Sequence, residues 1–322
     1  MSKTGTTEFE YQNGVRILAD QSSHEEPEAN EKLESIIKDA KAIGCVAALE
    51  KHNHHLTYLT DAKRMSYLDA VGIRDTDDVL EIGSSLGQHI RIIAQRSKSV
   101  SAIEVVPLQA AFSRIWCDEE GLENVDISTG GASGQLPYDD ESFDVVFCNY
   151  VLEWCAGRTE MDPADFHRKY IGEIYRVLKP GGRLYLSTKN RLSLKYILGS
   201  RDEHLGVRFG SLLPRGYQKR IRHKARLGRT TGYLHSWNGL EAILKDAGFD
   251  DNQRILAFPD ARFPEYLGDF AGFSANNLPQ GVTESLARKD RLSLRLPARA
   301  FDLTTNSLVS RSKKAKKYAE AC

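Results

Sequence analysis

The stretch "VLEIGSSLGQ", Val79 to Gln88, constrains this chain more than any other. A short apolar run ends at Gly83, and a second glycine, Gly87, precedes a new apolar pattern. A strand that turns tightly at glycine lets the backbone come close to a ligand. A helix starting just beyond would aim its free N–H groups at that ligand. From Asp78 onward the pattern alternates. "DVLEIG" reads as a strand, Gln88–Gln95 as a helix and "SVSAIEV" as the second strand. A helix follows from Pro107 to Glu120. "NVDIST" and "FDVVFCN" are strands three and four. Asp165–Leu178 is a helix stopped by "KPGG", and "RLYLSTK" is strand five. Strands alternating with helices predict an α/β fold, a doubly wound, mostly parallel sheet. Ligands in such sheets bind at the carboxyl ends of the strands.

The flanks read differently. "FEYQNGVRIL" alternates around Asn13-Gly14 and predicts a small N-terminal hairpin or arm. Leu33, Ile36, Ile37, Ala40 and Ile43 follow helical spacing within Glu31–Leu49, and Tyr58–Ala70 predicts a second helix ending at Gly72. After strand five, "SWNGLEAILKDAGF" predicts a helix capped by Ser236, and "QRILAFP" a sixth strand. A final strand is expected near Leu292–Leu296 and a mobile tail over "SRSKKAKKYAEAC". The expected organisation is an N-terminal arm and helical cap over 1–72 and a main domain over 73–270. A C-terminal extension covers 271–322.

Composition narrows the function classes. The 322 residues are 41% apolar and 27% charged, with Lys+Arg and Asp+Glu both at 44. No apolar run is long enough to cross a bilayer, and the first twelve residues lack the apolar core of a signal peptide. The five cysteines show no C-x-x-C spacing, which predicts reduced thiols and a cytoplasmic protein. The neutral total hides a basic block: Lys189–Arg229 holds twelve Lys/Arg against Asp202 and Glu203, so it carries +10.

Which nucleotide-like ligand the turn takes is decided by spacing. The dinucleotide fingerprint G-x-G-x-x-G/A would place its second and third small residues at Ser85 and Gln88. A glutamine there obstructs close helix–strand packing, so a nicotinamide dinucleotide is disfavoured. No Gly-Lys-Ser/Thr follows, so the P-loop pattern fails too. Glu104 ends the second strand, where a carboxylate can accept two hydrogen bonds from a ribose diol.

Glu81-Ile82-Gly83-Ser84-Ser85-Leu86-Gly87 resembles the first motif, E/D-x-G-x-G-x-G, of the class I S-adenosylmethionine-dependent methyltransferases. Glu104, "LPYDDESFDVVFCNYVLEW" (Leu136–Trp154) and "EIYRVLKPGGRLYLSTKN" (Glu173–Asn190) resemble that family's later motifs, in its order. The resemblance implies a Rossmann-like seven-stranded sheet with S-adenosylmethionine as cofactor. It implies that Glu81 reaches the methionine amino group and that Gly83, Ser85 and Gly87 let the backbone pack against methionine and ribose. Glu104 would hold the ribose diol, Val105 would lie beside the adenine, Ala132 would give its N–H to the ring, and Asn149 would face the sulfonium. Two positions depart from the pattern. Ser85 replaces the middle glycine, and Gly131 stands where the family places an aspartate for the adenine amino group, with Ser133 as a substitute donor or acceptor.

On the acceptor side, a hydroxyl nucleophile must lose its proton, and histidine suits that task near neutral pH. His235, before the helix that follows strand five, is the candidate base; the alternative is a residue packing on Trp237. His52, His54 and His55 match no zinc spacing. His89 flanks the turn. Tyr58 and Arg64 are expected to close over the methionine carboxylate, and Tyr150, Glu153 and Trp154 to line the acceptor pocket. The basic insertion within 189–235 points to an anionic partner. Three partners fit: a phosphate-bearing small molecule or a lipid-linked sugar, a membrane surface approached through Leu212, Leu213, Tyr217 and Ile221, or RNA. RNA ranks last because stacking platforms are lacking. The expected reaction is O-methylation of a small-molecule or glycan acceptor. A binding protein that keeps the fold without catalysis, or an RNA methyltransferase, are the alternatives.

Overall fold

The computed structural model describes residues 10–18, 27–52, 62–158, 161–225, 232–270, 294–296, 305 and 307–315. The chain packs as two compact units, one of Met1–Thr60 with Arg74–Pro137 and one of Asp61–Ile73 with Tyr138–Cys322.

The first unit opens on a hairpin, β1 (Glu10–Gln12) and β2 (Val15–Ile17), turned at Asn13-Gly14 as the sequence predicts. Helices α1 (Pro27–Ile43) and α2 (Cys45–Lys51) follow. The single helix expected here is broken at Gly44, whose φ of 89° lies outside the helical region. The short helix α3 (Tyr67–Val71) belongs to the second unit and ends at Gly72 with φ 67°. Back in the first unit come β3 (Asp78–Ile82), α4 (Ile90–Ala94), β4 (Ser99–Glu104), α5 (Pro107–Glu119) and β5 (Val125–Thr129). Strands β3, β4 and β5 pair in parallel, and β2 adds to β5 in parallel. One face is covered by a core in which Leu33, Ile36, Ala40, Cys45, Ala48 and Leu49 pack on Phe112 and Trp116. Leu86 of the glycine turn joins that core, so the N-terminal helices anchor the turn.

The second unit contains β6 (Phe143–Asn149), α6 (Leu152–Cys155), α7 (Pro163–Val177), β7 (Leu178–Lys189), α8 (Leu194–Ile197), α9 (Arg215–Ala225), α10 (Trp237–Asp246), β8 (Phe249–Phe258), β9 (Tyr266–Asp269) and β10 (Ser307–Lys314). Its strand order is β6-β7-β10-β8-β9. Only β6 and β7 run parallel; β10 lies antiparallel to both β7 and β8, and β9 is antiparallel to β8. Tyr67, Phe147 and Tyr185 form its aromatic centre, with Tyr67 and Tyr185 stacked at 4.7 Å.

Several expectations change. The α/β class holds, but the strands are mixed rather than mostly parallel, and the described residues contain ten strands instead of seven. The added ones are the β1–β2 hairpin and β9, each satisfied by pairing at one side of its own unit's sheet. "KPGG" does more than stop a helix. Residues 179–182 bulge out of β7, where Phe143 pairs with Leu178 and Val145 already with Arg183. Asp162 caps α7 by accepting from the Ala164 N–H at 2.9 Å. Ser236 occupies the N-cap position of α10, but its hydroxyl makes no capping bond.

The largest correction is at the C-terminus. Residues 294–296 form a turn, and the last strand is instead "SLVSRSKK", part of which was expected to be a mobile tail. Its buried positions include small serines: Ser307, Ser310 and Ser312 are all buried, the last two between β7 and β8. Lys314 fastens its end, donating to the carbonyls of Tyr175 at 2.9 Å and Leu178 at 2.8 Å, where α7 ends.

Candidate functional site

In the first unit β3 runs into a turn whose Gly83, Ser85 and Gly87 have φ of 74°, 51° and 84°. All three lie in the left-handed region, so Ser85 keeps the backbone path of the glycine it replaces. Gly87 is required by contact as well, because a Cβ there would stand 2.5 Å from Ser113 Oγ on α5. Helix α4 starts only at Ile90, so the residues facing a ligand are those of the turn itself.

Glu104, at the end of β4, ties this turn down. Its carboxylate accepts from the Ser85 N–H at 2.8 Å and the Val106 N–H at 3.0 Å, one bond to each oxygen. It is 5% exposed, and burial raises its proton affinity against backbone hydrogen bonds from Val106, Ser85 and Val105. The carboxylate's remaining lone pairs are left for a ligand. Glu81 is 1% exposed; its Oε1 shares a 2.8 Å hydrogen bond with His89 Nδ1. Burial raises the Glu81 pKa and the His89 contact opposes it. Its other oxygen, Oε2, has no partner, and neither do Ser84 Oγ and Gln88 Oε1, although all three are buried. Buried polar atoms left unpaired are costly. Two of these are acceptors beside a glycine turn, a donor-poor, anionic corner suited to an ammonium group. Such a corner fits the amino-acid end of S-adenosylmethionine, and Glu104 fits its ribose.

Val105, half-buried, follows Glu104 directly. At the end of β5, Gly130 and Gly131 have φ of 137° and 85°, and Gly130 N–H donates to the Glu104 carbonyl at 3.1 Å. At φ 85° any side chain at Gly131 would be strained, and its Cβ would stand 2.7 Å from Ile103 Cδ1, the movable end of that side chain. Ala132 is half-buried. Ser133 is exposed and its Oγ accepts from the Gln135 N–H at 3.2 Å within its own turn.

The second unit holds the remaining candidates. Asn149 ends β6 and accepts a short hydrogen bond from Ser187 Oγ. Tyr150, next in sequence, has φ 59°, and its hydroxyl meets Ser307 Oγ at 2.5 Å and the Ala261 N–H at 3.0 Å. Glu153 is 1% exposed; burial raises its pKa, and it accepts from Thr188 Oγ1 at 2.7 Å. Trp154 is 40% exposed and packs tilted against His204, ring centres 4.6 Å apart. His235 is buried, and its Nε2 lies 2.7 Å from Nδ1 of His167 on α7; Tyr233 packs edge-on against both rings. His235 is thus half of an imidazole pair rather than a packing partner of Trp237 alone. Arg64 is buried and lies over the Phe263 ring at 5.2 Å. His52 bonds Asp39 at 2.6 Å, while His54, His55 and Tyr58 lie outside the described residues. Among the described residues no group of three or more His, Cys, Asp or Glu is placed to hold a metal ion.

The first unit therefore gathers Glu81, Gly83, Ser85, Gly87, Glu104 and Val105 around one turn. In the second, Asn149 and His235 have separate partners. Sequence reading missed His167, Lys189, Asp260 and Ser307. Of these only Lys189 carries a local signal, a cation closing the apolar run "RLYLSTK"; the others come from residues distant in sequence.

Residues 80–186 match the model of a methyltransferase domain family. The chain is 26% identical over 262 residues to the biotin biosynthesis bifunctional protein BioHC of Cellvibrio japonicus, covering 79% of this chain and 44% of that one. It is 35% identical over 120 residues to a methyltransferase-like protein of Schizosaccharomyces pombe, covering 37% and 41%. It thus spans about half the length of these curated relatives. Among solved structures it is similar to phosphoethanolamine N-methyltransferase 2 of Haemonchus contortus, with phosphomonomethylethanolamine and S-adenosylhomocysteine bound there. That likeness, of the fold alone, has TM-score 0.50 at 17% identity over 86% of this chain and 59% of that one.

Proposed function

The chain belongs, through residues 80–186, to the class I S-adenosylmethionine-dependent methyltransferases, and on that premise we propose that it methylates an oxygen of an anionic small molecule or glycan. The observation carrying the cofactor half is the unpaired Glu81 Oε2 beside a turn held by Glu104. The cofactor, when bound, supplies an electrophilic methyl group on a sulfonium.

The chain's own residues have binding and positioning tasks. Glu81 takes the ammonium group, and the turn at Gly83, Ser85 and Gly87 lies along the methionine and ribose. Glu104 accepts from the two ribose hydroxyls with its remaining lone pairs. Val105 and the Ala132 N–H receive the adenine. In-line displacement needs little covalent help, so placement and exclusion of water carry the rate. His235 is the candidate base for a hydroxyl acceptor, relayed through His167 at 2.7 Å.

The anionic nature of the acceptor is supported by the +10 block of Lys189–Arg229. Within it Leu198 is 55%, Phe209 46% and Tyr217 59% exposed. Apolar side chains set among cations favour a second reading, an acceptor carried on an anionic lipid surface. No helix among the described residues is long and apolar enough to cross a membrane, so contact would be at the surface. Cys45, Cys117, Cys148 and Cys155 are free thiols, which supports a reducing, cytoplasmic setting.

The test is transfer of label from methyl-tritiated S-adenosylmethionine to a panel of hydroxylated phosphates, carboxylates and sugars. Label on oxygen of an anionic acceptor supports the reading. Tight cofactor binding with no transfer to any of them would turn it toward a binding protein without catalysis.

A further inference from the structure

The second unit buries a cation that the reading above leaves unused. Lys189 ends β7, and its side chain is 4% exposed. Its Nζ has no hydrogen-bond partner. The nearest carboxylate oxygens, Asp260 Oδ2 at 3.6 Å and Glu203 Oε1 at 3.8 Å, stand beyond bonding distance. Both are shared. Asp260 lies 3.8 Å from Arg262 Nη2, and its Oδ1 accepts the Arg262 N–H at 2.8 Å; Glu203 lies 3.5 Å from Lys195 Nζ. The two nearest carboxylates are therefore shared with two other cations, and a third, the buried Glu153, also feels the charge of Lys189.

The cluster has a built floor. Lys189 Nζ lies 4.8 Å from the centre of the Tyr150 ring, and Arg262 stands 5.7 Å from the same ring. Tyr150 holds a left-handed backbone, φ 59°, and its hydroxyl is fixed by Ser307 and Ala261. Strained backbone that is so firmly held is often found at ligand sites. The place in the fold agrees: β7 is parallel to β6, and ligands of such strands sit at their carboxyl ends. Glu203 at 43% and Arg262 at 38% side-chain exposure open the cluster to solvent.

A buried ammonium with three donors and no acceptor costs free energy unless a ligand completes it. We propose that Lys189 holds an anionic oxygen of the methyl acceptor, a phosphate or a carboxylate, with Arg262 at the mouth and Tyr150 as the floor. This rests on the methyltransferase reading and adds the residue that would select the acceptor. Burial lowers the Lys189 pKa to about 8, which leaves it charged near neutral pH, as an anion anchor must be. The competing account makes Lys189 a purely structural counter-ion to Asp260 and Glu203.

The test titrates inorganic phosphate and, separately, acetate into the full chain, followed by calorimetry or NMR, with S-adenosylhomocysteine binding measured in parallel. The wild type is expected to bind at least one anion saturably. Lys189→Met should weaken that binding at least tenfold, Lys189→Arg should retain it, and S-adenosylhomocysteine affinity should be the same in all three. Preference for phosphate or for acetate identifies which class the acceptor carries. Should Lys189→Met fail to fold, Arg262→Gln, at a more exposed position, decides: a several-fold loss supports the site. Saturable binding of neither anion by the wild type, or equal binding by the variants, overturns the proposal. Failure of the wild type to bind S-adenosylhomocysteine would instead sink the cofactor reading, whatever the anions do.

Discussion

Lys189 gives a prediction whose size and sign both follow from its surroundings. Burial, the largest cause, brings its pKa from the usual 10.5 to about 8. Each tenfold change in proton affinity is worth about 1.4 kcal/mol, so charging this amine in the fold costs roughly 3 to 4 kcal/mol. Below pH 8 the lysine is charged in both the folded and unfolded chain, and the whole penalty is present. Between 8 and 10.5 the unfolded chain holds the proton more than the folded one does, so stability rises with pH. Lys189→Met removes the penalty, from which the attraction of Asp260 and Glu203 has already been subtracted. The variant should therefore be more stable than wild type by about 3 kcal/mol near pH 7. The advantage should shrink as pH rises through 8 toward 10.5. Urea unfolding of both proteins at the two ends of that range reads the difference directly. A variant less stable than wild type at neutral pH, or a difference that does not change with pH, would refute the reasoning. A residue that weakens the fold while serving a ligand is the usual trade between stability and function.

Three further outcomes are expected. Glu104→Gln should lower stability by about 1.5–3 kcal/mol, because the amide turns a donor toward Ser85 or Val106 and breaks one of the bonds to a charged group; urea midpoints check this, and an unchanged midpoint contradicts it. His89→Gln frees Glu81 to rotate, so S-adenosylhomocysteine should bind about tenfold more weakly, about 1.4 kcal/mol, whereas 5′-methylthioadenosine, which lacks the ammonium group, should bind as before; equal losses would reduce His89 to a structural residue. Gly131→Asp places a side chain at φ 85° and 2.7 Å from Ile103; it should cost about 1–2 kcal/mol of stability without tightening cofactor binding.

The sequence carried the first unit well because its information is local. Strand, turn and acidic strand end fall within Asp78–Glu104, and each has its own periodicity or glycine signal. Ser85 kept its φ above zero without being glycine, so the glycine it replaces was not needed. Gly131 was legible as a departure, but its left-handed backbone, φ 85°, is set by the fold and not by a local spacing. The second unit was harder. Strand β10 has two adjacent apolar residues, Leu308 and Val309, among serines and cations, which gives no apolar period, and it is fixed by pairing with Ser187 and Ile255, far away in the chain. The His167–His235 pair and the Lys189 cluster likewise join residues dozens of positions apart, and no spacing rule reports such contacts.

The central claim is that the turn after β3 is the cofactor's seat. A crystal structure grown with S-adenosylhomocysteine tests it most directly. The account predicts the ribose hydroxyls on the Glu104 carboxylate and the ammonium group on Glu81 Oε2, with Ser85 and Val106 still bonded to Glu104. Clear density for the ligand away from Glu104 and Glu81, or a saturated crystal in which that turn stays empty, would contradict it.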